Sequence, residues 1–338
     1  MLKKLLLLFL ALILAVSSIA IVRTFMHVAT QIDSVELSQV QIDKTKVSNN
    51  LAASIRFKTI SYQDRAKFPK KEFENFIKWA ALTYPEFHQA TQLEQLGYSL
   101  LFKWEGRDTN LAPILFEGHH DVVPIIPGSE KLWEEEPFAG VISNNRIWGR
   151  GTLDDKSGVI GLMEAATHLI KNNYQPKRTV YFAFGHDEEV GGSGAALITE
   201  KLRNEGIQLY WSLGEGSFVN KGFFPGIDKF IAPINVAEKG SANLLIVATA
   251  KGGHSSTPPK KTAVTILEEA LVKLDKKPLP GSLEGLSAAM FDEVSKHMPF
   301  GYRFLFANRW LFGGVLDSQL SSTPVINAMI RTTTAPTM

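Results

Sequence analysis

The sequence predicts an α/β fold built on a largely parallel sheet, preceded by an amino-terminal hydrophobic helix and followed by a second domain of α+β character. Three observations carry that expectation. Short, continuously apolar runs alternate with stretches of helical period between residues 113 and 213. An uncharged apolar run stands at the amino terminus, and the pattern changes character near Ala237. The composition agrees: of 338 residues 45% are hydrophobic and 21% charged, which excludes collagen, coiled coil and wholesale disorder. With 36 Lys+Arg against 34 Asp+Glu the net charge is +2, so no basic field for nucleic acid exists. There is no cysteine, which removes disulfides, thiolate metal sites and cysteine nucleophiles together.

The first element follows Lys3 and Lys4 and runs from Leu5 to Val22, with only Ser17 and Ser18 polar, before Arg23. Its length nearly spans a bilayer core of about 30 Å at 1.5 Å per residue. A cleaved signal peptide has the same basic start and apolar middle, and Ser18-Ile19-Ala20 is a passable cleavage site. Residues 1–25 are therefore expected to be a signal anchor holding an exported protein to the membrane, or alternatively a signal that leaves it secreted or periplasmic. The next domain is expected over residues 35–235. Val47, Leu51, Ile55 and Ile60 are spaced as in an entering surface helix, and Glu72–Ala81 reads as a short amphipathic helix ended by Tyr84-Pro85. PILF at 113–116, TVYFAF at 179–184 and LYWSL at 209–213 suit strands buried on both faces. Between them Ile160, Met163, Ala166, Leu169 and Ile170 form one helical stripe, and Leu197, Ile198 and Leu202 another. In the second domain, expected over 236–338, NLLIVATA at 243–250 is strand-like, Thr262–Leu274 is helical and Gly301–Gly313 is aromatic-rich.

The polar clusters fall directly after the strands. Gly118-His119-His120-Asp121 follows PILF, Gly185-His186-Asp187-Glu188-Glu189 follows TVYFAF, and Gly214-Glu215-Gly216 follows LYWSL. In parallel α/β sheets the ligand crevice lies beyond the carboxyl ends of the strands, so these clusters should converge. A fourth, GRGTLDDK at 149–156, stands just before a predicted helix. His with Asp and Glu, without Cys, is a ligand set for zinc in an open hydrolytic site. The adjacent Glu188 and Glu189 repel each other unless a cation neutralises them or one is protonated.

These four segments, in order, resemble the co-catalytic zinc hydrolases typified by aminoacylase, carboxypeptidase G and carboxypeptidase S, and most of all the carboxypeptidase S and N-acyl amino acid hydrolase branch. The resemblance covers about residues 45–338. It implies a zinc-hydrolase catalytic domain with an inserted lid, through which a homodimer could form. It makes His119, Asp154 and Glu215 ligands of one zinc, with Asp154 bridging to a second zinc bound by Glu189. Asp121 would orient the imidazole of His119, and Glu188 would be the general base toward an activated water. KGGHSS at 251–256 resembles the lid histidine segment, which gives His254 the role of oxyanion donor. The lid resemblance extends to MPFGYRFLFANRWLFGG and to NAMIR at 327–331, with Arg331 a candidate anchor for a substrate carboxylate. The implied substrate is a peptide or N-acyl amino acid, cleaved beside a free carboxylate.

Plainer readings apply to the neighbours. His120 occupies the variable position of His-x-Asp and reads as structural, Asp155 as supporting or solvated, and Glu134-Glu135-Glu136 as a solvated face. Tyr302, Phe306 and Trp310, four apart, read as core or interface packing, or more sharply as an apolar lid wall. The pattern also has departures. The family's second zinc site ends in a histidine near the carboxyl terminus, whereas here only His297 lies beyond His254, without the surrounding motif. The chain is therefore expected to be a fragment of a longer reading frame, to bind at most one zinc tightly and to have little activity. Gly214 stands where relatives commonly carry Asp. Competing expectations are a dipeptidase or aminopeptidase of the same family, and a membrane-tethered binding or dimerisation protein that has lost catalysis.

Overall fold

The computed structural model describes residues 2–30, 40–217 and 219–337. The domain start expected at residue 35 lies outside them. The chain divides into two compact units, one spanning Leu37–Gly216 and the other joining the amino-terminal segment to Ser217–Met338.

α1 (Leu2–Met26) is apolar all round, and only Ala20 and Thr24 on it are buried. The unit that follows opens with α2 (Lys44–Ile55), whose first turn is closed by the Asp43 carboxylate accepting from the Lys46 amide at 2.9 Å. α3 (Lys70–Thr83) buries Phe73, Phe76 and Ala80 on one face. Pro85 cannot continue it and instead starts α4 (Pro85–Ala90). β1 (Gln92–Leu96) and β2 (Ser99–Trp104) form a hairpin across Gly97-Tyr98, where Gly97 takes φ 65°, a tight turn that favours glycine in its first central position. β3 (Ile114–His119) follows. β4 (Val141–Ser143) and β5 (Arg146–Trp148) make a second hairpin through Asn144 and Asn145, both at positive φ. α5 (Lys156–Lys171), β6 (Val180–Gly185), α6 (Ser193–Asn204) and β7 (Trp211–Leu213) complete the unit.

The strand order is β1-β2-β6-β3-β7. β6, β3 and β7 run parallel, but β2 is antiparallel to β6 and β1 to β2; β6 is buried as expected, whereas β7, expected to be covered on both faces, is exposed because it lies at the sheet edge. The expectation of a largely parallel sheet is thereby corrected to a mixed one: a tight hairpin reverses the chain, whereas parallel neighbours need a crossover. Strand alternation then divides the core. Val180, Phe182 and Phe184 face α3, α4 and α5 with Phe76, Phe87, Phe102, Ile160 and Met163. Tyr181 and Ala183 face α6 with Leu101, Leu115, Ile198 and Leu202. Leu169 and Leu197, expected on the buried stripes, are exposed instead.

In the other unit β8 (Asn220–Lys221) pairs with β9 (Phe230–Ile231), and five helices follow: α7 (Ala263–Lys276), α8 (Gly285–Ser295), α9 (Phe300–Ala307), α10 (Arg309–Ser321) and α11 (Pro324–Ile330). Phe224, Phe291, Met298, Phe306, Leu316, Leu320, Ile326 and Ile330 form its core. Residues 243–250 form no strand, and Leu245 is 90% exposed. A strand requires a partner ladder, and among the described residues none pairs with this run. The aromatic segment divides at Asn308, whose Nδ2 donates to Ala20 O at 3.0 Å and lies 3.2 Å from Thr24 Oγ1. That break separates Phe306, which is buried, from Trp310, which is not.

Candidate metal centre

The carboxyl ends of β3, β6 and β7 lie side by side because the three strands are parallel neighbours in register: His119 pairs with Gly185, and Phe116 with Leu213. His119 ends β3, Glu188 and Glu189 sit on a 3-10 turn just after β6, and Glu215 comes two residues after β7. The loop before α5 adds Asp154.

These positions converge on one imidazole. His119 Nε2 lies 2.9 Å from Asp154 Oδ1 and 3.3 Å from Glu215 Oε1, with Glu188 Oε2 at 3.9 Å. One ligand atom from each of His119, Asp154 and Glu215 falls within 4.8 Å of the others. Glu189 stands outside that group of three. On the far side of the ring, Nδ1 lies 3.2 Å from Asp121 Oδ1. Asp121 is buried and also accepts from the amides of Glu188 at 3.2 Å and Glu189 at 3.3 Å. A single carboxylate thus ties the ring to the turn that carries both glutamates.

The electrostatics follow from the crowding. Burial by itself would lower the pKa of His119, but hydrogen bonds to Asp121 and Glu215 outweigh it and push it up to about 12. Burial, then the charge of Asp154, raises Glu189 to about 7, and burial also raises Glu188. Glu215 is held below the usual range, chiefly by its hydrogen bond to His119. Were the imidazole neutral and donating Nδ1–H to Asp121, Nε2 would offer its lone pair between two carboxylates, a nitrogen and oxygen donor set whose chemistry fits zinc.

Supporting residues were less visible from sequence. Asp155 is buried, caps α5 by accepting from the Gly158 amide at 3.2 Å, and accepts from the His119 amide at 3.3 Å. A Cβ on Gly118 would lie 2.7 Å from its Oδ2, so the strand can approach it only with glycine there. Burial, then the charge of Glu215, raises its pKa to about 7. An Asp just before a helical apolar period is the one signal that points to this cap. Lys156 is buried and donates to Ser54 O at 2.9 Å and Phe57 O at 2.7 Å, holding the end of α2 beside the ligand loop. Asp187 accepts from Arg65 at 3.1 Å and from the Gly194 amide at 2.8 Å at the start of α6. His120 is fully buried, stacked on Phe76 at 5.0 Å, with neither ring nitrogen hydrogen-bonded among the described residues, and burial lowers its pKa to about 3. At Gly214 a Cβ would lie 2.6 Å from Glu117 Cγ, so the side chain of Glu117 takes the space that a larger residue would need.

Two expected residues lie in the other unit. His254 is exposed on a segment without regular structure, its Nδ1 accepting from the Ser256 amide at 3.2 Å. Arg331 is engaged with Asp317 at 3.1 Å and with Leu279 O at 3.2 Å, so its guanidinium is committed within its own unit.

The model of peptidase family M20/M25/M40 matches residues 115–308. The probable carboxypeptidase S-like 2 of Dictyostelium discoideum is 38% identical over 299 residues, 87% of this chain and 57% of that protein. The N-fatty-acyl-amino acid synthase/hydrolase PM20D1 of Homo sapiens is 36% identical over 304 residues, 88% of this chain and 59% of its own. The chain thus spans less than two thirds of the length of these curated relatives. Among solved structures, human carnosine dipeptidase 1 is similar over 52% of this chain and 40% of its own, at 20% identity and a TM-score of 0.43.

Proposed function

We propose, from the premise that the chain belongs to peptidase family M20/M25/M40, that it carries the metal-binding core of a zinc-dependent hydrolase. The family is the one that the four ordered motifs resemble. The bond cleaved is the amide of a peptide or N-acyl amino acid beside a free carboxylate. Relatives named as carboxypeptidase S-like and as N-fatty-acyl-amino acid synthase/hydrolase support that class. The observation that carries the reading is the single imidazole nitrogen facing two carboxylates, with a third at 3.9 Å.

In this reading His119, Asp154 and Glu215 hold one zinc, and Asp154 with Glu189 begins a second site. Zinc there would polarise the amide carbonyl and acidify a water. Asp121 fixes the tautomer of His119. Glu188 takes the proton of the attacking water and delivers it to the departing amine, a task suited to a carboxylate whose pKa burial has raised. His254 is assigned the developing oxyanion. α1 is assigned the role of membrane anchor, with the remainder exported.

The test uses the full chain. Zinc content by mass spectrometry should be one tightly held ion, lost in His119→Ala. Hydrolysis of N-acyl amino acids should fall about 10²–10⁴-fold in Glu188→Gln while zinc content is kept. Equal hydrolysis by chain and variant would sink the catalytic reading in favour of a binding one, and faster cleavage of carboxylate-blocked substrates would favour an aminopeptidase.

A further inference from the structure

In the unit that contains α1, the apolar helix does not stand apart from the rest. Its residues 2–19, which rise about 27 Å, have no buried member, whereas Ala20 and Thr24 are fully enclosed. The enclosing groups belong to α8, α9 and the Asn308 break: Asn308 Nδ2 at Ala20 O, Arg23 Nε donating to Ala307 O at 3.0 Å, and His27 Nε2 at 2.8 Å from Ser295 Oγ. Docking therefore begins where a bilayer core of about 30 Å would end.

From that point a chain of rings leads away from α1. Phe25 lies 5.8 Å from Phe300, Phe300 6.2 Å from Phe304, and Phe304 5.3 Å from Phe312. On the same two helices Tyr302, Trp310 and Val315 are 40%, 56% and 57% exposed, and Phe25 itself 64%. α9 carries Arg303 and no acidic residue, and the one acid of α10, Asp317, is paired with Arg331. Exposed Trp and Tyr with Arg beside an apolar helix's exit is the composition of a membrane interface.

We propose that the α9–α10 face is a second membrane contact, lying in the headgroup layer of the bilayer that α1 enters, with a lipid surface as its occupant. The proposal rests on the reading of α1 as an anchor. Continuity decides the occupant: Phe25 at the exit of α1 packs on Phe300 at the start of α9, both of them exposed, so lipid that surrounds the helix there also reaches α9. The apolar side chains insert, and Arg303 meets the phosphates.

The chain has no cysteine, so single substitutions give unique labelling sites. The full chain is placed in phosphatidylcholine–phosphatidylglycerol vesicles with a spin label at Leu8→Cys, Trp310→Cys, Val315→Cys or, as an aqueous reference, Glu200→Cys. Collision rates with oxygen and with a water-soluble nickel chelate give depth. Labels at 310 and 315 should sit about 5–10 Å below the phosphates, the label at 8 deeper, and the reference in water. A label at 8 in the bilayer with those at 310 and 315 in water overturns the docking face and leaves the anchor standing. A label at 8 in water overturns both. Labels at 310 and 315 shielded from both reagents, with spin–spin broadening that unlabelled protein dilutes away, mean a second copy covers the face and also overturn it.

Discussion

The sheet-centred unit and the helical unit solve opposite problems with neighbouring residue types. At the carboxyl ends of β3, β6 and β7, polar groups are buried and each is held by another: Asp121 by His119 and two amides, Asp155 by the His119 and Gly158 amides, Lys156 by two carbonyls. On α9 and α10, apolar groups are left facing outward beside an apolar helix. The contrast teaches that burial is set by what the backbone supplies. Aligned strand ends and helix caps offer hydrogen bonds that make buried charge tolerable, whereas a short helix pair offers only surface.

The comparison can be broken by substitution. The largest effect is expected at Phe102→Ala on β2, fully buried against Phe87 and Phe184; denaturant unfolding should show a loss of about 3–5 kcal/mol. Asp155→Ala removes a cap and the acceptor for the His119 amide. A loss of about 1–3 kcal/mol should be measured, together with zinc affinity weakened about 10–100-fold. A stability loss of that size with unchanged affinity would leave Asp155 a helix cap alone. His120→Phe should be neutral or stabilising by about 1 kcal/mol, because it relieves two buried ring nitrogens without hydrogen bonds while keeping the stack on Phe76. A clear loss of thermal stability there would show that a ring nitrogen has a partner. The smallest effect is expected at Trp310→Ser, within about 0.5 kcal/mol in solution, since an exposed ring contributes little to folding. A larger loss would mean that the ring packs in the folded unit, and the contrast between the two regions would fail.

Legibility from sequence follows the same division. β6 announces itself as an apolar run because both faces are covered, whereas the equally apolar β7 is exposed at the sheet edge; the clusters after β3, β6 and β7 point to a common crevice. β1 escapes because QLEQL is an edge strand with little burial, and only its neighbour and Gly97 reveal the hairpin. The 243–250 run reads as a strand by composition, yet composition cannot supply a partner. Tyr302, Phe306 and Trp310 share a stripe only on an unbroken helix, and Asn308, bonded to α1 more than 280 residues away, breaks it. Asp155 reads from sequence as supporting or solvated, and only the fold chooses the first, because adjacency says nothing of side-chain direction.

The sequence by itself determined the alternation of strands and helices, the absence of sulfur ligands and the placement of each His and carboxylate after a strand, since these depend on residue type and local period. Only the tertiary structure decided which of two like neighbours turns toward the cluster. His119 meets four carboxylates while His120 is stacked on Phe76, and Asp154 faces the imidazole while Asp155 caps a helix. Backbone direction at a strand end is set by register and by the packing of distant elements, and that information is not local.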